Sequence, residues 1–151
     1  MLSILLSACL LAALTVAMHA TGIVLLRGLI KLRTRRLTSE WLVIRMLLQV
    51  IWCLILLHLA EISIWGLVYL WHRCLPDAET AFYFSGITYT TVGYGDVVLA
   101  KPWRLLAPVE GLMGVLMFGL STGYFFVVAS HLQQSPPQNA AAGSPAERKE
   151  A

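Results

Sequence analysis

Three long apolar stretches, 2–26, 42–71 and 105–132, alternate with polar connections of different kinds. A bilayer's hydrocarbon core, about 30 Å thick, is crossed by about 20 helical residues, so each stretch is long enough to span it once. Between the second and third lies "AETAFYFSGITYT" (78–90), apolar but too short to span, followed by "TVGYGDVVL" (91–99). That segment must enter the membrane and return. The pattern predicts an all-α membrane protein with three transmembrane helices, a short re-entrant helix and an irregular loop. Four regions follow: an N-terminal helix (1–26), a basic linker (27–41), a membrane domain (42–132) and a polar tail (133–151).

Composition agrees: 58% of the 151 residues are hydrophobic, 13% are charged and mean hydropathy is +0.75, more apolar side chain than one small soluble core buries. The first 26 residues carry no charged side chain, whereas Arg27, Lys31, Arg33, Arg35 and Arg36 crowd one short window. The net charge of +3 therefore reports orientation and not nucleic-acid binding. By the positive-inside rule the linker is cytoplasmic in the cell (inner) membrane, the N-terminus outside and the C-terminus cytoplasmic. A secretory signal is not expected, because the apolar stretch is too long and its positive cluster follows it.

Arg45 can snorkel at the inner end of the second helix, with Trp41 in an inner interfacial belt and Trp65, Trp71 and Trp103 in an outer one. The linker "RGLIKLRTRRLTSEW" reads either as an interfacial basic helix that meets anionic lipids or as a solvated extension of the first helix. The tail "QQSPPQNAAAGSPAERKEA" has the composition of a disordered segment. Cys9, Cys53 and Cys74 form no paired framework, so no intrachain disulfide is expected.

Irregular backbone at membrane depth is tolerated where it is buried in protein or lines a water-filled path. A dehydrated cation needs hard oxygen ligands, and backbone carbonyls aimed at one axis supply them without a full charge that would hold the ion. Gly93 and Gly95 permit the left-handed φ values that turn successive carbonyls to one side. Val92 and Tyr94 would point away and wedge the loop, and the Thr91 hydroxyl would stand at its inner end. One chain gives one wall, so a closed ring needs several related by rotation.

The stretch "TTVGYGD" (90–96) resembles the signature of the potassium channel family. The likeness extends to the short helix before it, Trp103 after it, and Gly114 and Gly119 in the last helix, covering roughly 42–132 in the manner of a bacterial two-transmembrane pore module. It implies a homotetramer conducting K+ passively, with no cofactor. Thr91, Val92, Gly93 and Tyr94 would coordinate the ion, with Gly95 completing the filter and Thr90 and Asp96 supporting it. Departures are the extra first helix, which lacks the spaced arginines of a voltage sensor, and Ile87, where some relatives carry a carboxylate paired with the acid that Asp96 matches.

Other polar residues admit two readings each. His58 and Glu61 share a helix face at i,i+3 spacing and read as a proton sensor or filter-supporting acid, or as an interhelical contact, the preferred reading. A metal is not expected there, since two ligands on one helix leave the shell unfilled. Glu110, near filter depth, would accept from Thr88, Tyr89 or the loop amides and take the part Ile87 cannot, or else pack between helices. Gly114 and Gly119 would form a gating bend or permit close packing. Asp77 is a candidate N-cap for the short helix. No nucleophile with its base, metal cluster or phosphate cradle points to an enzyme. The alternatives retained are a nonselective cation channel and an accessory subunit of a cation transporter, although no internal repeat supports the latter.

Overall fold

The computed structural model describes residues 2–34 and 40–133. They form four helices and, among the described residues, no strand: α1 (Leu2–Thr34), α2 (Glu40–Trp71), α3 (Ala78–Tyr89) and α4 (Leu106–Gln133). Helices α1, α2 and α4 contain the stretches Ile4–Leu32, Trp41–Trp71 and Leu106–Leu132, each long and apolar enough to cross a membrane. Most of their apolar surface is left uncovered by the chain itself, with Leu10, Val24, Trp52, Leu56, Leu112 and Phe126 all exposed. The expected tail lies outside the described residues except for Gln133, as do 35–39 of the linker.

The first helix runs eight residues beyond the expected boundary at 26, absorbing the start of the linker. Nothing between Leu26 and Thr34 breaks a helix except the tolerated Gly28, and Arg27 and Lys31 sit exposed on long stems that reach beyond an apolar zone. For 27–34 the extension reading holds, and a separate interfacial helix does not.

Local signals place α3. Helix α2 ends in a Schellman turn: Cys74 N–H reaches Tyr69 O at 2.9 Å and Arg73 N–H reaches Leu70 O at 3.0 Å, with Arg73 at φ 52° in the position usually given to glycine. Asp77 then caps α3, as expected, accepting from Thr80 N–H at 2.8 Å and the Thr80 hydroxyl at 2.9 Å. These bonds hold its carboxyl below the usual range. Before α4 the chain turns at Trp103, and Arg104 Nε donates to Leu99 O at 3.1 Å. Pro108 falls in the first turn of α4, where its missing N–H costs nothing.

Packing is layered along the helices. At one end Ala8 and Leu11 of α1, Trp65 and Tyr69 of α2, Phe84 and Tyr89 of α3, and Leu106, Met113 and Met117 of α4 form one buried cluster. At the other end Leu26, Met46, Val50, Leu54, Val128 and Leu132 form a second. The cluster memberships make α2 antiparallel to α1 and α4, with α3 and the glycine loop at the end that holds the start of α1. Between the clusters lies a buried polar layer of His19, His58, Glu61 and Ser121.

Trp65 departs from the expected belt. It is fully buried, and its Nε1–H donates to Thr15 Oγ1 at 3.0 Å, so the ring serves the α1–α2 contact. Trp41 and Trp71 are strongly exposed, as a belt requires. The three cysteines are unpaired.

Candidate ion-conduction site

Helix α3 delivers the chain into the loop. Its last turn is closed by Thr90, whose N–H bonds to Gly86 O and Thr88 O and whose hydroxyl reaches Gly86 O at 2.6 Å. Thr90 thus acts as the helix C-cap, satisfying carbonyls that would otherwise be orphaned. The loop is then tied back to the helix it left, Thr91 N–H to Thr88 O at 3.0 Å and Gly93 N–H to Ile87 O at 2.9 Å. Ile87 therefore steadies the loop through its backbone carbonyl, whatever its side chain lacks.

The loop's dihedrals alternate. Thr91, Gly93 and Gly95 have φ of 61°, 48° and 80°, while Val92 and Tyr94 between them do not take positive φ. In an extended strand successive carbonyls face opposite sides; inverting every second residue brings them toward one side. The glycines accept this freely, as expected. Threonine does not: a β-branched residue at positive φ is strained by about 1–3 kcal/mol and persists where its surroundings hold it, here through two amide bonds flanking the inversion. That Thr91 would invert was not foreseen. Among the described residues no hydrogen bond reaches the carbonyl oxygens of 91–95.

Val92 and Tyr94 are 52% and 73% exposed, so the expected wedging against surroundings is not supplied by this chain. Behind the loop an open groove is lined by Phe84, Ile87, Thr88, Val97 and Leu99.

Besides Asp77 and Glu79 at the start of α3, the carboxylates of Asp96, Glu110 and Glu61 bond to side chains of α3, and Glu110 has partners other than those expected. Asp96 accepts from the Tyr83 hydroxyl at 2.8 Å, which raises the pKa of that phenol. Tyr83 lies one turn before Ile87 on the same face of α3, so it spans the gap that the apolar side chain leaves. Glu110 is fully buried, but accepts from Tyr69 (2.6 Å) and Ser85 (2.5 Å), not from Thr88, Tyr89 or the loop amides. Its place on the inner side of the first turns of α4 aims it at the middle of α3, below the loop's ties, so it anchors the short helix to α2 and α4.

Glu61 is the third. Its two oxygens meet His19 Nδ1 at 2.8 Å and His58 Nδ1 at 3.1 Å, and the Tyr89 hydroxyl donates to the second oxygen. On the far side of both rings Ser121 Oγ lies 3.3 Å from His19 Nε2 and 3.0 Å from His58 Nε2. The preferred reading of His58 and Glu61 as an interhelical contact holds, and the contact reaches all four helices. Every buried side-chain polar atom among the described residues has a partner.

Gly114 has a packing reason. A methyl group built on it would run into the Tyr89 carbonyl, with Tyr89 C at 2.8 Å, so α4 lies against the end of α3 only because that side chain is missing. Nothing lies within 4 Å of such a group at Gly119. Helix α4 continues unbroken through both.

Sequence reasoning missed His19, Tyr69, Tyr83, Ser85 and Ser121. One signal was present: His19 is the only histidine in an apolar helix without charges in its first 26 residues, and an ionisable side chain at such a place calls for a partner.

No curated protein and no solved structure showed a significant match to the chain. The family model described as "Ion channel" matches residues 57–131, from the middle of α2 through α3 and the loop nearly to the end of α4. The three apolar helices and the re-entrant loop have the architecture such a domain requires, and residues 57–131 of this membrane protein are accordingly an ion channel domain of that family.

Proposed function

We propose that the chain assembles as a homotetramer and conducts K+ passively through a pore whose narrow part is built from the carbonyls of Thr91, Val92, Gly93 and Tyr94, with Gly95 completing it. The observation that carries this reading is the alternation of positive φ at Thr91, Gly93 and Gly95, which supports carbonyls turned to one side, in a loop whose carbonyl oxygens accept no hydrogen bond among the described residues. Carbonyl dipoles replace the hydration shell of a monovalent cation without trapping it. The C-terminal end of α3, where a helix dipole is negative, leads into the same loop and favours a cation there. Support for assembly comes from the exposed Val92 and Tyr94 and the uncovered groove behind the loop: neighbouring copies related by rotation would cover both. In this reading the basic end of α1 faces the cytoplasm, the loop faces outward and both termini follow the orientation given above.

Native mass spectrometry of the purified chain in detergent is expected to give a species of four chains; a monomer alone would end the proposal. In planar bilayers the G93A variant, which places a methyl group on a residue at φ 48°, is expected to lose K+ over Na+ discrimination or conduction altogether. Unaltered permeability ratios in that variant would show that the loop does not select the ion.

A further inference from the structure

The polar layer between the two apolar clusters has more structure than a chance contact. His19 of α1 and His58 and Glu61 of α2 are all buried and offer ligand atoms within 4.8 Å of one another. Both imidazoles present Nδ1 to the Glu61 carboxylate and Nε2 to the Ser121 hydroxyl of α4. We propose that His19 Nδ1, His58 Nδ1 and Glu61 form a binding site for a borderline-soft divalent cation of the Zn2+ type.

The geometry supplies what such an ion needs. Zinc takes nitrogen and oxygen ligands at about 2.0–2.1 Å in a tetrahedron, which sets neighbouring ligand atoms about 3.3 Å apart. His19 Nδ1 lies 2.8 Å from one Glu61 oxygen and His58 Nδ1 3.1 Å from the other, and the ligand atoms of the three residues all lie within 4.8 Å of one another, so the carboxylate stands between the two imidazoles and side-chain rotations would close the set on one ion. The Tyr89 oxygen, bonded to Glu61 and 3.3 Å from His58 Nδ1, is a further oxygen beside two of these ligands. The second sphere is also present. With Nδ1 on the metal, each ring carries its hydrogen on Nε2, and Ser121 Oγ, with two lone pairs, accepts from both. A hydroxyl bonded this way fixes the tautomer that frees both Nδ1 atoms for the metal. Two imidazoles and one carboxylate suit zinc and its neighbours better than the hard ions that prefer oxygen alone.

His19 lies outside the ion channel domain, whereas Tyr89 ends the short helix two residues before Thr91. The site therefore joins the additional helix α1 to the base of the loop.

The test is titration of the full chain, in detergent micelles, with Zn2+ by calorimetry and with Co2+ by visible absorption. The wild type is expected to take up one ion per chain and to develop the intense bands of a tetrahedral Co2+ site. The H19A variant is expected to bind at least tenfold more weakly and lose those bands, and S121A to lose about tenfold in affinity, the effect of removing an outer-sphere partner. A double variant, H72Q with H131Q, removes histidines outside the layer and is expected to bind as the wild type does. Absence of saturable binding in the wild type, which does not depend on any variant folding, would overturn the proposal. So would equal binding by H19A, or loss of the ion in the double variant alone.

Discussion

At the scale of single residues, the loop is held by contacts that each admit a direct test. Tyr83 and Asp96 are exposed and join α3 to the far end of the loop. Removing the hydroxyl leaves no buried group unpaired, so Y83F is expected to keep the thermal unfolding temperature of the wild type while shortening open bursts severalfold in single-channel records. Unchanged bursts would mean that Asp96 does not need that partner. Glu110 behaves in the opposite way. In E110A the Tyr69 hydroxyl loses its acceptor in a buried place, whereas the Ser85 hydroxyl keeps Ile62 O at 2.8 Å; the loss is about 1–3 kcal/mol, seen as a lower unfolding temperature in detergent. E110Q, which keeps an acceptor oxygen, is expected to recover a large part of it. The two glycines of α4 separate just as clearly. G114A forces the end of α3 away and is expected to cost about 1–3 kcal/mol, the usual range for overpacking. G119A meets nothing and is expected to be neutral or to gain up to about 1 kcal/mol of helix stability. Equal effects of the two would contradict the packing account.

At the scale of elements, hydropathy alone located three spans and the short helix, because length and apolar content are properties of the chain and need no tertiary information. The Asp77 cap and the left-handed glycines were legible for the same reason: each acts on its own backbone. What could not be read were partners across helices. Glu110 was seen to be near the loop, but which hydroxyls meet it depends on the rotation of α2 and α3 about their axes, which their nearly uniform apolar character does not fix. Trp65 misled in the same way, since a tryptophan near a helix end fits an interfacial belt until the neighbouring helix supplies Thr15 to its N–H. The end of α1 was legible only as one of two readings of the linker, because a charge cluster resembles a boundary although long basic side chains can leave an apolar zone without ending the helix. The burial of Trp65 makes α1 an integral part of the fold. W65A is expected to cost about 3–5 kcal/mol, seen as a lower unfolding temperature in detergent, whereas W71A, at an exposed side chain, is expected to leave that temperature nearly unchanged.

At the scale of the whole molecule, one chain is an incomplete object. It holds an ion channel domain and three apolar helices whose outer faces it does not cover, and among the described residues no hydrogen bond reaches the carbonyl oxygens of 91–95. The proposed repetition of the chain around an axis would answer both conditions, covering the exposed side chains of the loop and giving the oxygens a shared occupant. The layering along the helices then acquires a purpose. The apolar cluster around Trp65 and Tyr89 holds α3 in place, the polar layer ties α1 to the foot of the loop, and the second cluster closes the far end. The measurement that tests this most directly is ion flux through liposomes containing only this protein, loaded with K+ and diluted into Na+. The account expects a negative interior potential close to the K+ equilibrium value, abolished when the external Na+ is replaced by K+. A potential near zero under the first gradient, with both ions passing equally, would contradict it.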